Sequence, residues 1–359
     1  MENLKIKTPK GPREIGPGNS TFIVAEVSGN HDQSFDKAIK IIDAAIDAGA
    51  DAIKIQTYTA DTLTINSDQE YFQIKDGPWK GHSLYSLYQQ GNTPWEWHEK
   101  LKKHAESKGV VLFSSPFDAT AVDFLEKLGV ELYKIAGYEM ADIPLLRKVA
   151  QTGKPIIMSA AMASADEVQL SVETLRKYGS GQIAVLHCVE TYPAALEDMN
   201  VATVADIIKR YNVVSGLSDH SLSNTASIAS VALGGSIIEK HVTLRRADVG
   251  HDSAFSLEPQ EFKQLVDTVR EVEKSIGIPT YGVGLSEIPQ QIFKRSLFVV
   301  ADVKKGEVFT EKNIRSIRPG NGLAPKYYDA VVGKTASKDI VTGTPLDFSL
   351  INEKVTYED

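Results

Sequence analysis

The chain has 359 residues, 42% hydrophobic and 24% charged, with a formal net charge of −8. That size suits one large α/β barrel with a small extra domain, and the acidic balance argues against nucleic acid as the main partner. The single cysteine, Cys188, excludes an intrachain disulfide and fits a reducing, cytoplasmic setting. No apolar run approaches the ~20 residues that would span a membrane.

Residues 1–19 read as a polar, Pro/Gly-rich lead without a signal-peptide core. Residues 22–26 form the first buried strand. Ser34 caps a helix whose apolar positions Ile39, Ile42, Ala45 and Ile46 follow helical spacing, and Gly49 ends it. Residues 52–56 are the second strand. The rhythm then breaks: residues 57–94 hold Tyr58, Tyr71, Phe72, Trp79, Tyr85 and Tyr88. Such an insertion is a lid or an aromatic subcluster capping one barrel end. Alternation resumes with helix 94–108, strand 110–115, helix 119–128, strand 132–136, helix 143–152, strand 155–159, helix 165–178 and strand 183–189. Helix 201–211 leads to a strand ending at His220, helix 222–235 to one ending at His241, and helix 259–276 closes the series. Eight strands alternating with eight helices over roughly 260 residues fit a (β/α)8 TIM barrel better than an open doubly wound sheet.

Gly277, Pro279, Gly282, Gly284 and Pro289 then mark a linker. Beyond it, strand 295–300, a turn at 303–306, a short helix at 310–314 and a turn-rich stretch at 341–346 suggest a small, mostly β domain of about 70 residues. The expected boundaries are 1–278 for the barrel, 279–290 for the linker and 291–359 for the small domain.

A barrel gathers its reactive groups at the C-terminal ends of its strands. His220 and His241 end neighbouring strands there. Two such imidazoles either share a divalent ion or are polar strand-end residues hydrogen-bonded to loops. The other strand ends supply Glu26, Asn30 and His31; Lys54 and Gln56; Ser114 and Ser115; Lys134 and Glu139; Ser159; Glu190 and Tyr192; Ser218 and Asp219; and Glu239 and Lys240. Lys54 and Lys134 stand in the alternating register of apolar strands. Each either pairs with a carboxylate such as Glu26 or Glu139, or binds an anion. Two lysines, three serines and a divalent cation fit a phosphorylated, carboxylated substrate. A Schiff-base lysine is the rival reading and leaves the histidines without a role. Cys188 reads as a buried structural thiol rather than a nucleophile.

Several stretches carry a family resemblance: Ala25-Glu-Val-Ser-Gly-Asn-His31, Ala50-Asp-Ala-Ile-Lys-Ile-Gln-Thr57, Ser114-Ser-Pro-Phe-Asp118, Tyr133-Lys-Ile-Ala136, Thr152-Gly-Lys-Pro155, Gly216-Leu-Ser-Asp-His220, Glu239-Lys-His241 and Arg318-Pro-Gly-Asn-Gly322. They resemble the sialic acid synthase family, which condenses phosphoenolpyruvate with amino sugars, over residues 21–351. The C-terminal part resembles that family's antifreeze-like (SAF) domain. Gly81-His-Ser-Leu-Tyr85 with Tyr88 and Thr93-Pro-Trp-Glu-Trp97 resembles its pseudaminic acid synthase branch.

The resemblance implies a role for each strand end. His220 and His241 would hold a divalent metal (manganese, magnesium or cobalt) that polarises the sugar aldehyde. Lys54, Ser115, Lys134, Ser159 and Ser218 would hold phosphoenolpyruvate. Glu26 would serve the water that adds to it. Gln56, Glu139, Tyr192 and Asp252 would face the sugar. Arg318, otherwise a surface arginine paired with an acidic neighbour, would reach the sugar in the partner barrel of a domain-swapped homodimer. Three positions depart from the neuraminate synthases: Glu190 stands for their Asn, Ser159-Ala-Ala-Met162 for their Ser-Thr-Gly-Met, and near Gly137 they carry a serine that this chain lacks. The implied activity is that of the pseudaminic branch. Neuraminate or legionaminate synthesis is the alternative, and a catalytically silent carbohydrate-binding protein the remote one.

Overall fold

The structure, a computed structural model, describes residues 1–248 and 250–356, so the last three residues of the expected small domain lie outside the described residues. It divides into two compact units, Met1–Gly277 and the chain from Ile278 onward.

The first unit opens with a hairpin, β1 (Leu4–Thr8) and β2 (Gly11–Ile15), paired antiparallel. This corrects the polar lead expected for residues 1–19: Leu4, Ile6 and Ile15 alternate with polar residues and are buried. They pack with Phe22, Val111, Phe113 and Leu132, among others, and so plug the lower end of the barrel.

Eight parallel strands form the closed barrel: β3 (Phe22–Glu26), β4 (Ala52–Thr57), β5 (Val111–Pro116), β6 (Tyr133–Ile135), β7 (Ile156–Ala160), β8 (Ile183–Cys188), β9 (Val214–Asp219) and β10 (Ile237–His241), with β10 pairing back onto β3. Alternation along each strand sorts the side chains. Ile23, Ile53, Leu112 and Ile238 face helices such as Phe35–Asp47 and Pro259–Ile276, while Phe22, Ala52, Val111 and Ile237 fill the interior. Nearer the C-terminal ends, the inward positions of β3, β4, β6 and β10 carry the charges Glu26, Lys54, Lys134 and Glu239. The register sets Glu26 level with Lys54 on one side and His241 on the other, and Glu239 level with Ser218.

Gly216 belongs to this arrangement. A Cβ there would overlap the carbonyl of Ile237 on the adjacent strand, so any side chain would force apart the two strands that lead to His220 and His241.

The insertion is not one long loop. Short helices at Ala60–Leu63 and Leu84–Gly91 punctuate it, the second capped by Ser83, whose hydroxyl accepts from Ser86 N.

In the second unit, β11 (Ser296–Val299) and β12 (Ile314–Ile317) pair antiparallel over a core of Leu297, Val299, Phe309, Ile314, Val331 and Leu346. Residues 311–313 are a turn leading into β12 at Ile314, rather than the expected helix over 310–314. The Asn313 side chain accepts from Thr310 N at 2.7 Å and donates to Val308 O, which satisfies the backbone locally instead of through a further helical turn. A 3-10 helix, Leu285–Phe293, begins inside the expected linker and runs three residues past its end. Among the described residues, no helix is long and apolar enough to cross a membrane.

Candidate active site

A cavity of about 440 Å³ opens at the C-terminal end of the barrel. Its floor is an alternating charge network. Lys54 Nζ lies 2.9 Å from Glu26 and 3.6 Å from Glu239, and Lys134 Nζ lies 3.2 Å from Glu239. Hydroxyls complete it: Ser115 sits 3.4 Å from Lys54, Lys134 donates to Ser159 at 2.7 Å, and Ser218 donates to Glu239 at 3.0 Å. All four charged residues are buried. Burial raises the Glu239 carboxyl, but Lys134 and Lys54 outweigh it and hold it at about 2. Burial likewise opposes the charge on Lys54, and the two glutamates reverse that and raise it. Both lysines therefore have carboxylate partners, as one sequence reading held, yet one oxygen of Glu239 is buried without a hydrogen bond. Glu239 was not among the expected ligand-binding residues. Its spacing of two from His241 on an inward-facing strand was the available signal.

Above the floor, the rings of His220 and His241 lie 5.3 Å apart. Burial depresses both imidazoles, His241 well below its ordinary value with His220 and Lys54 adding, so both are neutral. His220 Nδ1 donates to Val189 O at 2.8 Å, which fixes the tautomer and leaves Nε2 as the lone-pair nitrogen. His241 Nδ1 is buried without a partner. Two neutral imidazoles with an orphaned nitrogen fit a divalent ion. Cys188, Glu190 and His220 also bring ligand-type atoms within 4.8 Å of one another. There, however, the thiol faces His220 Nδ1 at 4.0 Å, the nitrogen already committed to Val189, and burial holds the thiol protonated. The histidine pair is the better donor set.

Gln56, Glu139, Tyr192 and Asp252 line the same cavity, whereas Glu26 and Ser115 sit behind its lining beside Lys54. Gln56 donates to Glu26 at 2.9 Å and to Ser28 at 3.1 Å, and Ser28 in turn bonds Asp252. Asp252 also accepts from Gly29 N, and its burial raises its pKa. Tyr192 stacks against His220 with ring centroids 4.4 Å apart and bonds Glu190. The insertion supplies the opposite wall: Leu63, Ile74, Trp79, Leu84, Leu87 and Tyr88. Trp79 donates to His251 O at 3.0 Å and packs on Tyr192 and Phe255. Lid and aromatic cap are thus one feature, although Tyr71 is exposed and Trp95 and Trp97 pack elsewhere, on Phe124 and Phe35.

Glu139 has a buried oxygen without a partner. Burial lifts its carboxyl from 4.5 to about 7, with the charge of Glu190 adding. The native state then holds a proton that the unfolded chain releases. The stability this contributes is complete below about pH 4.5 and lost as pH rises through 7. Glu139→Gln should therefore stabilise the barrel more at pH 8 than at pH 4.5, by up to about 3 kcal/mol. Denaturant melts of both proteins at the two pH values check this; a pH-independent gap between them would contradict it.

Other strand-end residues turn away from the cavity. Asp219 and Lys240 face outward as a buried ion pair at 2.9 Å, with Ser227 on the carboxylate. Ser114 bonds Thr57, and His31 lies 3.2 Å from the Thr93 hydroxyl. Arg318 is in the second unit, exposed, its guanidinium 5.8 Å from the centre of the Phe293 ring.

Comparison with known proteins agrees with this geometry. Residues 41–281 match the NeuB family and residues 294–352 the SAF domain. The chain is 44% identical over 336 residues to a pseudaminic acid synthase of Campylobacter jejuni, covering 93% of this chain and 98% of that protein. It is 38% identical to the pseudaminic acid synthase of Helicobacter pylori, covering 90% and 96%. Among solved structures, the N-acetylneuraminic acid synthetase of Leptospira borgpetersenii in complex with citrate superposes with a TM-score of 0.70 at 30% identity, over 80% of this chain and 96% of that one.

Proposed function

Because the chain belongs to the NeuB family, we propose that it acts as a pseudaminic acid synthase. It condenses phosphoenolpyruvate with 2,4-diacetamido-2,4,6-trideoxy-altrose and water, giving pseudaminic acid and phosphate. The observation that carries this reading is one cavity with two buried ammonium groups at its floor, two neutral imidazoles above them and an apolar wall facing both.

Lys54 and Lys134, with Ser115, Ser159 and Ser218, hold the carboxylate and phosphate of phosphoenolpyruvate. His220 and His241 hold a divalent ion (manganese, magnesium or cobalt), which when bound polarises the sugar aldehyde. Tyr192, Gln56, Glu139 and Asp252 orient the open-chain sugar so that its aldehyde carbon meets C3 of phosphoenolpyruvate, and the new carbon–carbon bond forms there. The cation left at C2 takes up water, whose proton passes to Glu26. Loss of phosphate from the resulting tetrahedral carbon gives the 2-keto acid. The lid side chains Trp79, Leu84 and Leu87 exclude bulk water meanwhile.

The second unit belongs to the same reading. Tyr281, Leu285 and Ile278 are 98%, 88% and 82% exposed, an apolar run that association with a second copy would cover. In such a homodimer Arg318 of one chain meets the sugar in the other's barrel. The lone cysteine suits a cytoplasmic enzyme.

Phosphate release tests the chemistry. It should require phosphoenolpyruvate, the sugar and a divalent ion together, stop with chelator and return when the ion is restored. Borohydride should trap no adduct on Lys54 or Lys134; a trapped imine, or full turnover of His220→Ala in chelator, would overturn the assignment.

A further inference from the structure

Glu190 has no part in the steps above, yet it sits among the groups that do. It follows β8 and lines the cavity. Its carboxylate accepts from the Cys188 thiol at 3.4 Å through one oxygen and from the Tyr192 hydroxyl through the other. Its place is tightly defined. A Cβ at Gly137 would overlap the Glu190 carboxylate and crowd Ala161, so a side chain there would push the carboxylate out of its present position. On its other side, Tyr192 lies between His220 and Phe255, at ring distances of 4.4 and 4.7 Å, with Trp79 beyond.

A phenol carries one proton and accepts through its oxygen. When that proton is committed to a carboxylate, the oxygen faces the cavity as an acceptor alone. We propose that Glu190 is a positioning residue that fixes Tyr192 in this sense, so that Tyr192 accepts a hydrogen bond from an N–H or O–H of the amino sugar. Tyr138 interacts with the Tyr192 hydroxyl, but its side chain is 58% exposed at the cavity rim, where a sugar N–H can take its place. The ligand chemistry selected is a hydrogen-bond donor, which an acetamido group supplies and an ether or carbonyl does not. The inference rests on the proposed placement of the sugar beside Tyr192.

The role predicts a specific pattern among variants. Glu190→Gln keeps a carbonyl oxygen that can take the phenol proton, whereas Glu190→Leu has the bulk and no acceptor. Glu190→Leu and Tyr192→Phe should each raise the KM for the diacetamido sugar about tenfold, with the KM for phosphoenolpyruvate unchanged. Glu190→Gln should stay within about threefold of wild type, and the Glu190→Leu/Tyr192→Phe double variant should be no worse than Tyr192→Phe. Thermal melts confirm that each variant is folded, and Mn²⁺ affinity is measured without substrates by electron paramagnetic resonance. Additive effects in the double variant, or a Glu190→Gln as impaired as Glu190→Leu, would overturn the proposal. So would a tenfold loss of Mn²⁺ affinity in Glu190→Gln, which would make Glu190 a metal ligand. A wild-type chain that turns over no amino sugar overturns the synthase reading together with this one; an active wild type with additive variants overturns this one alone.

Discussion

Lys54→Met should abolish turnover, by roughly a thousandfold or more, and weaken the barrel at the same time. Lys54 touches both Glu26 and Glu239 and is 3% exposed. Removing it strands Glu26 in a fully buried place with no cation, at a cost of about 3–5 kcal/mol. The two effects separate in a second variant. Lys54→Met with Glu26→Gln removes the buried charge as well as its partner, so most of the stability should return, because Glu239 still has Lys134 at 3.2 Å. Activity should fall well below that of Glu26→Gln alone, which lacks only the water's base and keeps both ammonium groups for phosphoenolpyruvate. Denaturant melts and phosphate release on these three variants decide the matter. Turnover in the double variant equal to that of Glu26→Gln alone would make Lys54 a structural counter-ion only.

Mixing two nearly inactive chains should restore about a quarter of wild-type activity. One chain carries His241→Ala, with a failed barrel and a sound C-terminal domain; the other carries Arg318→Ala, with the reverse. After random reassortment half the dimers are mixed. If each C-terminal domain serves the other chain's barrel, one of the two sites in every mixed dimer is complete. If each domain serves its own barrel, no site is complete and no activity returns, provided that exchange of subunits is confirmed by a tag. Arg318 is suited to such reach: it is exposed, its neighbour across the guanidinium is the Phe293 ring, and the segment before it displays apolar side chains.

The barrel was legible because its strands announce themselves twice, as short apolar runs and as inward polar residues near their ends. Lys54 and Lys134 could be placed inside from alternation alone, and the structure puts both on the cavity floor. Alternation also carries the information that sent Asp219 and Lys240 outward, one residue out of phase with Ser218, Glu239 and His241, but a reading by strand end rather than by face passes over it. The N-terminal hairpin was hidden by its turn residues: Pro9, Gly11 and Pro12 resemble a disordered lead, and only Leu4, Ile6 and Ile15 betray the buried face. Glu190 shows the opposite limit. Its residue type is plain in the sequence, but its meaning depends on the empty space at Gly137 and on the phenol of Tyr192, which only three-dimensional proximity supplies. The aromatic insertion lies between these cases. Its composition pointed to a lid, whereas the selection of Trp79 and Tyr88 over Tyr71 as lining residues follows from packing.

The apolar wall of the cavity gives the most direct test of the whole account. Leu63, Ile74, Leu84 and Leu87 offer carbon surface, which suits the methyl of a 6-deoxy sugar and leaves a hydroxyl there without a partner. A contact of that kind is worth about 1–3 kcal/mol, or roughly 10- to 200-fold in kcat/KM. The measurement is phosphate release from phosphoenolpyruvate with 2,4-diacetamido-2,4,6-trideoxy-altrose and N-acetylmannosamine side by side, under the same divalent ion. The account predicts that the 6-deoxy diacetamido sugar is preferred by at least about tenfold in kcat/KM. Equal or better kcat/KM with N-acetylmannosamine would contradict it and make the chain a neuraminate synthase.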